Sequence, residues 1–127
     1  MQEGKVGNFR FPRKFRLGRN RNYRYVYRKG ITHPSRNLML VYLRGRELKI
    51  GFSVSSKVGN AVTRNRIRRC LREDARQIRP GLKPGKYIFV ARRGAKEVPH
   101  QQLTREMLQL VSRAQLLKEA PPSTERP

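Results

Sequence analysis

Arg64, Arg68, Arg72 and Arg76 follow one another at intervals of four residues. Ile67, Cys70, Leu71, Ala75 and Ile78 are interleaved with them at offsets 0, 3, 4, 8 and 11. The apolar set marks one face of an α-helix, which the pattern predicts from about Asn60 to Ile78. The arginines then form a ridge on the remaining surface. Like charges at i, i+4 each destabilise a helix by about 0.2–0.5 kcal/mol, and only Glu73 and Asp74 offset them. Such a segment holds its helix when a core grips one side and something anionic covers the other.

The ridge is representative of the whole chain. Of 127 residues, 31 are Lys or Arg and 8 are Asp or Glu, a net charge of +23. Arginine outnumbers lysine by 22 to 9. Its guanidinium fork binds phosphate bidentately and stacks on bases, which an ammonium cannot do. Nucleic acid is therefore the expected partner, ahead of an anionic membrane. The longest apolar run, Leu38 to Leu43, is six residues, against the ~20 needed to span a bilayer. Met1 to Asn22 holds no continuous apolar segment, so neither a membrane span nor a signal peptide is expected. Cys70 is the only cysteine. That excludes an intrachain disulfide and a cysteine-rich zinc site, and suits a reducing cytoplasm.

Residues 1–16 read as a basic flexible arm, in which Phe9, Phe11 and Phe15 alternate with Arg10, Arg13, Lys14 and Arg16. Interleaved rings and cations suit a nucleic-acid surface, although one or two of these rings could equally dock on a core. Residues 17–118 read as a single domain and residues 119–127, with three prolines, as a disordered tail. Asn20 is the expected N-cap of a short helix carrying Tyr23, Val26 and Tyr27 on one face and ending at Gly30. Leu38 to Leu43 reads as a strand buried on both faces. Leu48, Ile50, Phe52 and Val54 alternate with polar or small residues, a half-buried strand expected to pair with its predecessor as a hairpin. A weaker signal at Gly30 to His33 suggests an extra short strand. Tyr87 to Ala91 is another strand, and Leu103 to Leu117 has the periodicity of a closing helix.

Little supports catalysis by protein side chains, and no catalytic or metal-ligating residue is assigned. Glu73 and Asp74 are adjacent and point about 100° apart on a helix. His33 and His100 read as surface residues in loops, and Cys70 as core. Gly81 to Lys86 is one residue short of a phosphate-loop motif, with Tyr87 where Ser or Thr is needed. The junction Ser53 to Asn60 offers hydroxyls, Lys57 and Gly59 at a strand-to-helix turn, where free backbone N–H groups can seat a phosphate.

The run from Phe52 to Glu73 resembles the signature of the bacterial ribonuclease P protein component, G-N-A-V-x-R-N-R followed by two basic residues and a later arginine. It matches at Gly59, Asn60, Ala61, Val62, Arg64, Asn65, Arg66, Arg68, Arg69 and Arg72. The resemblance extends over Arg16-Leu17, Tyr23, Tyr27, Gly30 and the element pattern to about Lys118. It implies an α/β (α+β) two-layer sandwich, with about four strands and three helices in the order α-β-β-β-α-β-α and a left-handed βαβ crossover. It further implies a small subunit of a ribonucleoprotein that removes the 5′ leader of precursor tRNA. In that family the RNA holds the catalytic Mg²⁺ ions and performs the hydrolysis, and the protein aids substrate and metal binding.

Carried over residue by residue, the resemblance assigns Lys57, Asn60, Arg64, Asn65, Arg66, Arg68, Arg69 and Arg72 to contacts with the catalytic RNA. Tyr23 and Tyr27 become the floor for the single-stranded leader. The implied partners are the catalytic RNA and precursor tRNA, with no membrane and no obligate protein partner. The chain departs from the family at Ser56, often lysine, at Tyr23 and Tyr27, often phenylalanine, and at Cys70, often a larger aliphatic residue. The competing expectations are a ribosomal or assembly RNA-binding protein, which composition alone favours equally, and an autonomous nuclease.

Overall fold

The computed structural model describes residues 11–118, so residues 1–10 of the expected arm and the expected tail lie outside the described residues. Three helices and four strands follow the chain order α1 (Asn20–Lys29), β1 (Ile31–Pro34), β2 (Leu38–Leu43), β3 (Leu48–Val54), α2 (Ala61–Ile78), β4 (Gly85–Ala91) and α3 (His100–Arg113). Short 3₁₀ turns lie at Arg13–Phe15, Arg79–Gly81 and Arg93–Glu97.

The strands lie side by side in the order β1-β2-β4-β3. β1 and β2 form the hairpin, with Pro34 opposite Met39 and Ile31 opposite Tyr42. The hairpin expected between β2 and β3 does not form. β4 lies between them, antiparallel to β2 and parallel to β3. The physical reason is burial. β2 and β4 are apolar nearly throughout and occupy the centre, whereas β3 carries a polar residue or glycine at alternate positions and stays at an edge. α2 supplies the long connection that a parallel pair such as β3 and β4 requires.

The two faces of the sheet are covered by different helices. Leu38, Leu40, Ile50, Tyr87 and Phe89 face Ile67, Leu71 and Ala75 of α2 and Leu103, Met107 and Leu110 of α3. Val41 and Ile88 face the other way, against Leu17 and Val26. Fully burying one such side chain is worth about 1.5–3 kcal/mol. With α1 on one face and α2 and α3 on the other, the α/β class and element order stand, but there are three layers rather than two. β2, flanked on both faces, is what makes the third layer necessary.

Three local expectations change. Phe11 is 2% exposed and packs edge-on against Phe52 with ring centroids 5.6 Å apart. Leu17 N–H donates to Ile50 O at 3.0 Å. Residues 11–16 are thus held along the open edge of β3 and are no part of a flexible arm, because that edge has unpaired backbone groups to satisfy. Asn20 is the first helical residue of α1 and not its cap; Arg19 holds that position without a side-chain bond. His100 opens α3, and its Nε2 meets Asp74 Oδ1 at 2.9 Å, while His33 lies within β1.

Glu106 of α3 is 2% exposed and is satisfied by the β1–β2 turn. It accepts from the Asn37 N–H and from Ser35 Oγ, both at 2.8 Å, and from Gln102 Nε2. Burial alone would raise its carboxyl, but these hydrogen bonds outweigh it and hold the group below its usual range.

Candidate nucleic-acid interface

An open cleft lies between the Tyr23 side of α1, the edge strand β3 and the arginine side of α2. Tyr23 forms the floor. Its ring lies over Gly51, where a Cβ would come within 2.6 Å of it. Its hydroxyl accepts the Phe52 N–H at 3.1 Å, another donor of the open edge. Only a residue without a side chain at position 51 lets the ring lie flat against the strand. Burial raises the Tyr23 hydroxyl above its ordinary range, so the ring stays neutral at physiological pH.

The cleft has a volume of about 750 Å³ and is walled by Arg16, Arg68, Arg72, Leu17 and Phe52 around Tyr23. A shallower extension of about 510 Å³ continues past Tyr27, Arg24 and Ser53. Tyr27 is 42% exposed and stands on the same helix flank as Tyr23. Arg72 is pulled below its ordinary range, first by burial and then by the guanidiniums of Arg68 and Arg16. The ion pairs between described residues are Arg76–Glu73 and His100–Asp74, and neither includes a member of this trio. A cluster of fixed cations beside an aromatic floor is suited to an anion that carries its own rings.

The arginines of α2 divide into two faces. Arg64, Arg68 and Arg72 are half-buried, and the last two line the cleft. Val62, Asn65, Arg66 and Arg69 are exposed together on the outward face. Lys57 is exposed in the entry loop, and its N–H donates to Ser55 Oγ at 3.2 Å. Asn60 caps α2, with Oδ1 accepting from the Thr63 N–H at 2.9 Å. Arg64 Nε donates to Gly59 O at 3.1 Å, Arg66 reaches Lys96 O, and Arg68 donates to Asn65 Oδ1 at 3.1 Å. The expected RNA residues therefore lie on one continuous surface around α2, and Tyr23 and Tyr27 lie together beside it. Sequence reasoning missed Arg16 and Phe52 as walls of the cleft, and Gly51 as the position against which the Tyr23 ring packs. The break that Gly51 makes in the polar side of the β3 alternation was the available signal.

Acid–base and metal chemistry find little here. Glu73 is occupied by Arg76 and Gln77 and Glu106 by the turn, while Asp74 meets Thr104 and His100 through Oδ1 and its Oδ2 is buried without a partner among the described residues. Among the described residues no group of three His, Cys, Asp or Glu side chains is placed to hold a metal ion. Cys70 is half-buried, and burial raises its thiol above the ordinary range. No helix among the described residues is long and apolar enough to cross a membrane.

An arginine-covered helix beside an aromatic cleft on this sheet defines a small, basic α/β protein with a surface suited to nucleic acid. Residues 11–115 match the family described as Ribonuclease P. The ribonuclease P protein component of Exiguobacterium sp. is 31% identical over 106 residues, 82% of this chain and 93% of that protein. That of Bacillus velezensis is 32% identical over 108 residues, 83% of this chain and 93% of the relative. The Staphylococcus aureus RNase P protein structure superposes with a TM-score of 0.77 at 26% identity, covering 81% of this chain and 97% of that one. The Thermotoga maritima RNase P protein shares the fold, with a TM-score of 0.67 at 20% identity over 84% of this chain and 98% of that one. The chain belongs to the ribonuclease P family, as a protein component of that tRNA-processing endoribonuclease.

Proposed function

We propose that this chain is the RNA-holding, non-catalytic subunit of its ribonuclease P, working in the cytoplasm with no obligate protein partner. In this reading Lys57, Asn60, Arg64, Asn65, Arg66 and Arg69 contact the catalytic RNA. Arg68 and Arg72 do so too, from where they also face the cleft. The 5′ leader of precursor tRNA lies in the cleft over Tyr23 and Tyr27. Stacking on an aromatic ring is worth about 1–3 kcal/mol per base and tolerates any base, as a leader of variable sequence requires. Arg16, Arg68 and Arg72 neutralise its phosphates.

Hydrolysis and its Mg²⁺ ions are assigned to the RNA partner, because the carboxylates of α2 and α3 are already hydrogen-bonded within the protein. The same observation weighs against an autonomous nuclease. The observation that carries the reading is the pairing of an aromatic floor with three arginines in one cleft, none of them ion-paired to a carboxylate among the described residues. Tyr23→Ala tests it in the reconstituted holoenzyme. Affinity for precursor tRNA should fall while affinity for mature tRNA, which lacks a leader, stays nearly constant. Equal losses on both would make Tyr23 a structural residue only.

A further inference from the structure

α1 has a second aromatic flank. Tyr23 and Tyr27 point into the cleft at i and i+4, and Tyr25 lies between them in sequence, on the other side of the helix. Its ring is 44% exposed. Arg28 Cζ lies 5.6 Å and Lys86 Nζ 5.8 Å from its centroid. Lys86, the second residue of β4, is half-buried and in register with Lys49 of β3, which adds a further cation to that part of the sheet. Neither Arg28 nor Lys86 has a carboxylate partner among the described residues.

We propose that Tyr25, Arg28 and Lys86 form a second site for unpaired RNA nucleotides, on the flank of α1 opposite the cleft. A base stacks on Tyr25 and its phosphates meet the two cations. The proposal rests on the ribonuclease P reading and extends it beyond the cleft. Magnitudes favour the nucleotide over the bare ring. An exposed cation–ring contact is worth about 2- to 5-fold in an equilibrium constant, and a stacked base about 5- to 150-fold. A base therefore displaces the cations from the ring and leaves them free for phosphate, the acceptor each prefers. The nucleotides could come from the leader or from an unpaired segment of the catalytic RNA, since the chemistry is shared.

The chain contains no tryptophan, so Tyr25→Trp places a single reporter whose emission a stacked base quenches. Quenching when the holoenzyme assembles identifies the catalytic RNA as the source. Quenching only when precursor tRNA with an extended leader is added, and not with mature tRNA, identifies the leader. Tyr25→Ala should weaken the same step by about 5- to 150-fold, while Tyr25→Phe restores it. Unquenched emission, with Tyr25→Ala as tight as the unaltered protein in a holoenzyme that still removes leaders, would overturn the proposal alone. If the unaltered protein fails to support leader removal, the ribonuclease P reading falls and this proposal with it.

Discussion

Gly51 and Tyr23 act as a pair. The ring lies on the strand because position 51 has no Cβ, and its hydroxyl takes up a backbone donor that the sheet edge leaves open. Gly51→Ala should push the ring off the cleft floor. A loss of about 1–3 kcal/mol in folding stability is expected from the overpacking, measurable by urea unfolding. Affinity for precursor tRNA should fall alongside it, with affinity for mature tRNA nearly unchanged. Asn60 has a structural duty independent of any RNA, since it caps α2. Asn60→Ala should cost about 1 kcal/mol in the free protein, and Asn60→Ser, which keeps a capping oxygen, should recover most of it. An Asn60→Ala protein as stable as the parent would show that the cap contributes nothing.

α2 is the element on which the function depends, and it is held in place by one side only. Ile67, Leu71 and Ala75 are fully buried, while the arginine ridge repels itself at every i, i+4 step. Arg68→Ala combined with Arg69→Ala should therefore leave the free protein equally or more stable. The same change should weaken assembly with the catalytic RNA and flatten its salt dependence, since each lost phosphate contact removes about 0.7–0.9 from the slope of log K against log salt. An unchanged slope would take these two residues out of the interface. The helix could be read in the sequence because both of its faces have a local period. The pairing of β2 with β4 could not, because Leu38 and Ala91, which lie opposite each other, are distant in sequence and the intervening turn Arg44-Gly45-Arg46 suits either topology. The site divides the same way. The cations of α2 and the tyrosines of α1 announce themselves by spacing, whereas Arg16 and Phe52 become cleft walls only when three separate segments meet at the edge of β3. Phe11 docks for the same non-local reason, through its contact with Phe52.

At the scale of the whole molecule, a net charge of +23 opposes compaction, so bound polyanion should raise the melting temperature more than an equal ionic strength of simple salt. Acid acts through two buried carboxyls shifted in opposite directions. Glu106 is held below its usual range, so its contribution to stability is present above the unfolded value of about 4.3 and is lost as pH falls through the lower folded value. Asp74 is raised, by burial first, against hydrogen bonds from Thr104 and His100, so its ionisation opposes folding at neutral pH and its protonation relieves that cost. In Glu106→Gln, urea midpoints taken across acidic pH should decline less steeply than in the parent. Parallel curves would mean that the Glu106 hydrogen bonds do not set its ionisation.

The central claim, an RNA-holding subunit whose partner performs the chemistry, is tested most directly by removal of the 5′ leader from precursor tRNA. The reaction is run with a bacterial ribonuclease P RNA at low Mg²⁺, with and without this protein, and with the protein alone. The account predicts strong stimulation of the RNA and no cleavage by the protein by itself. Cleavage by the protein alone, or a rate unchanged by its addition, would contradict it.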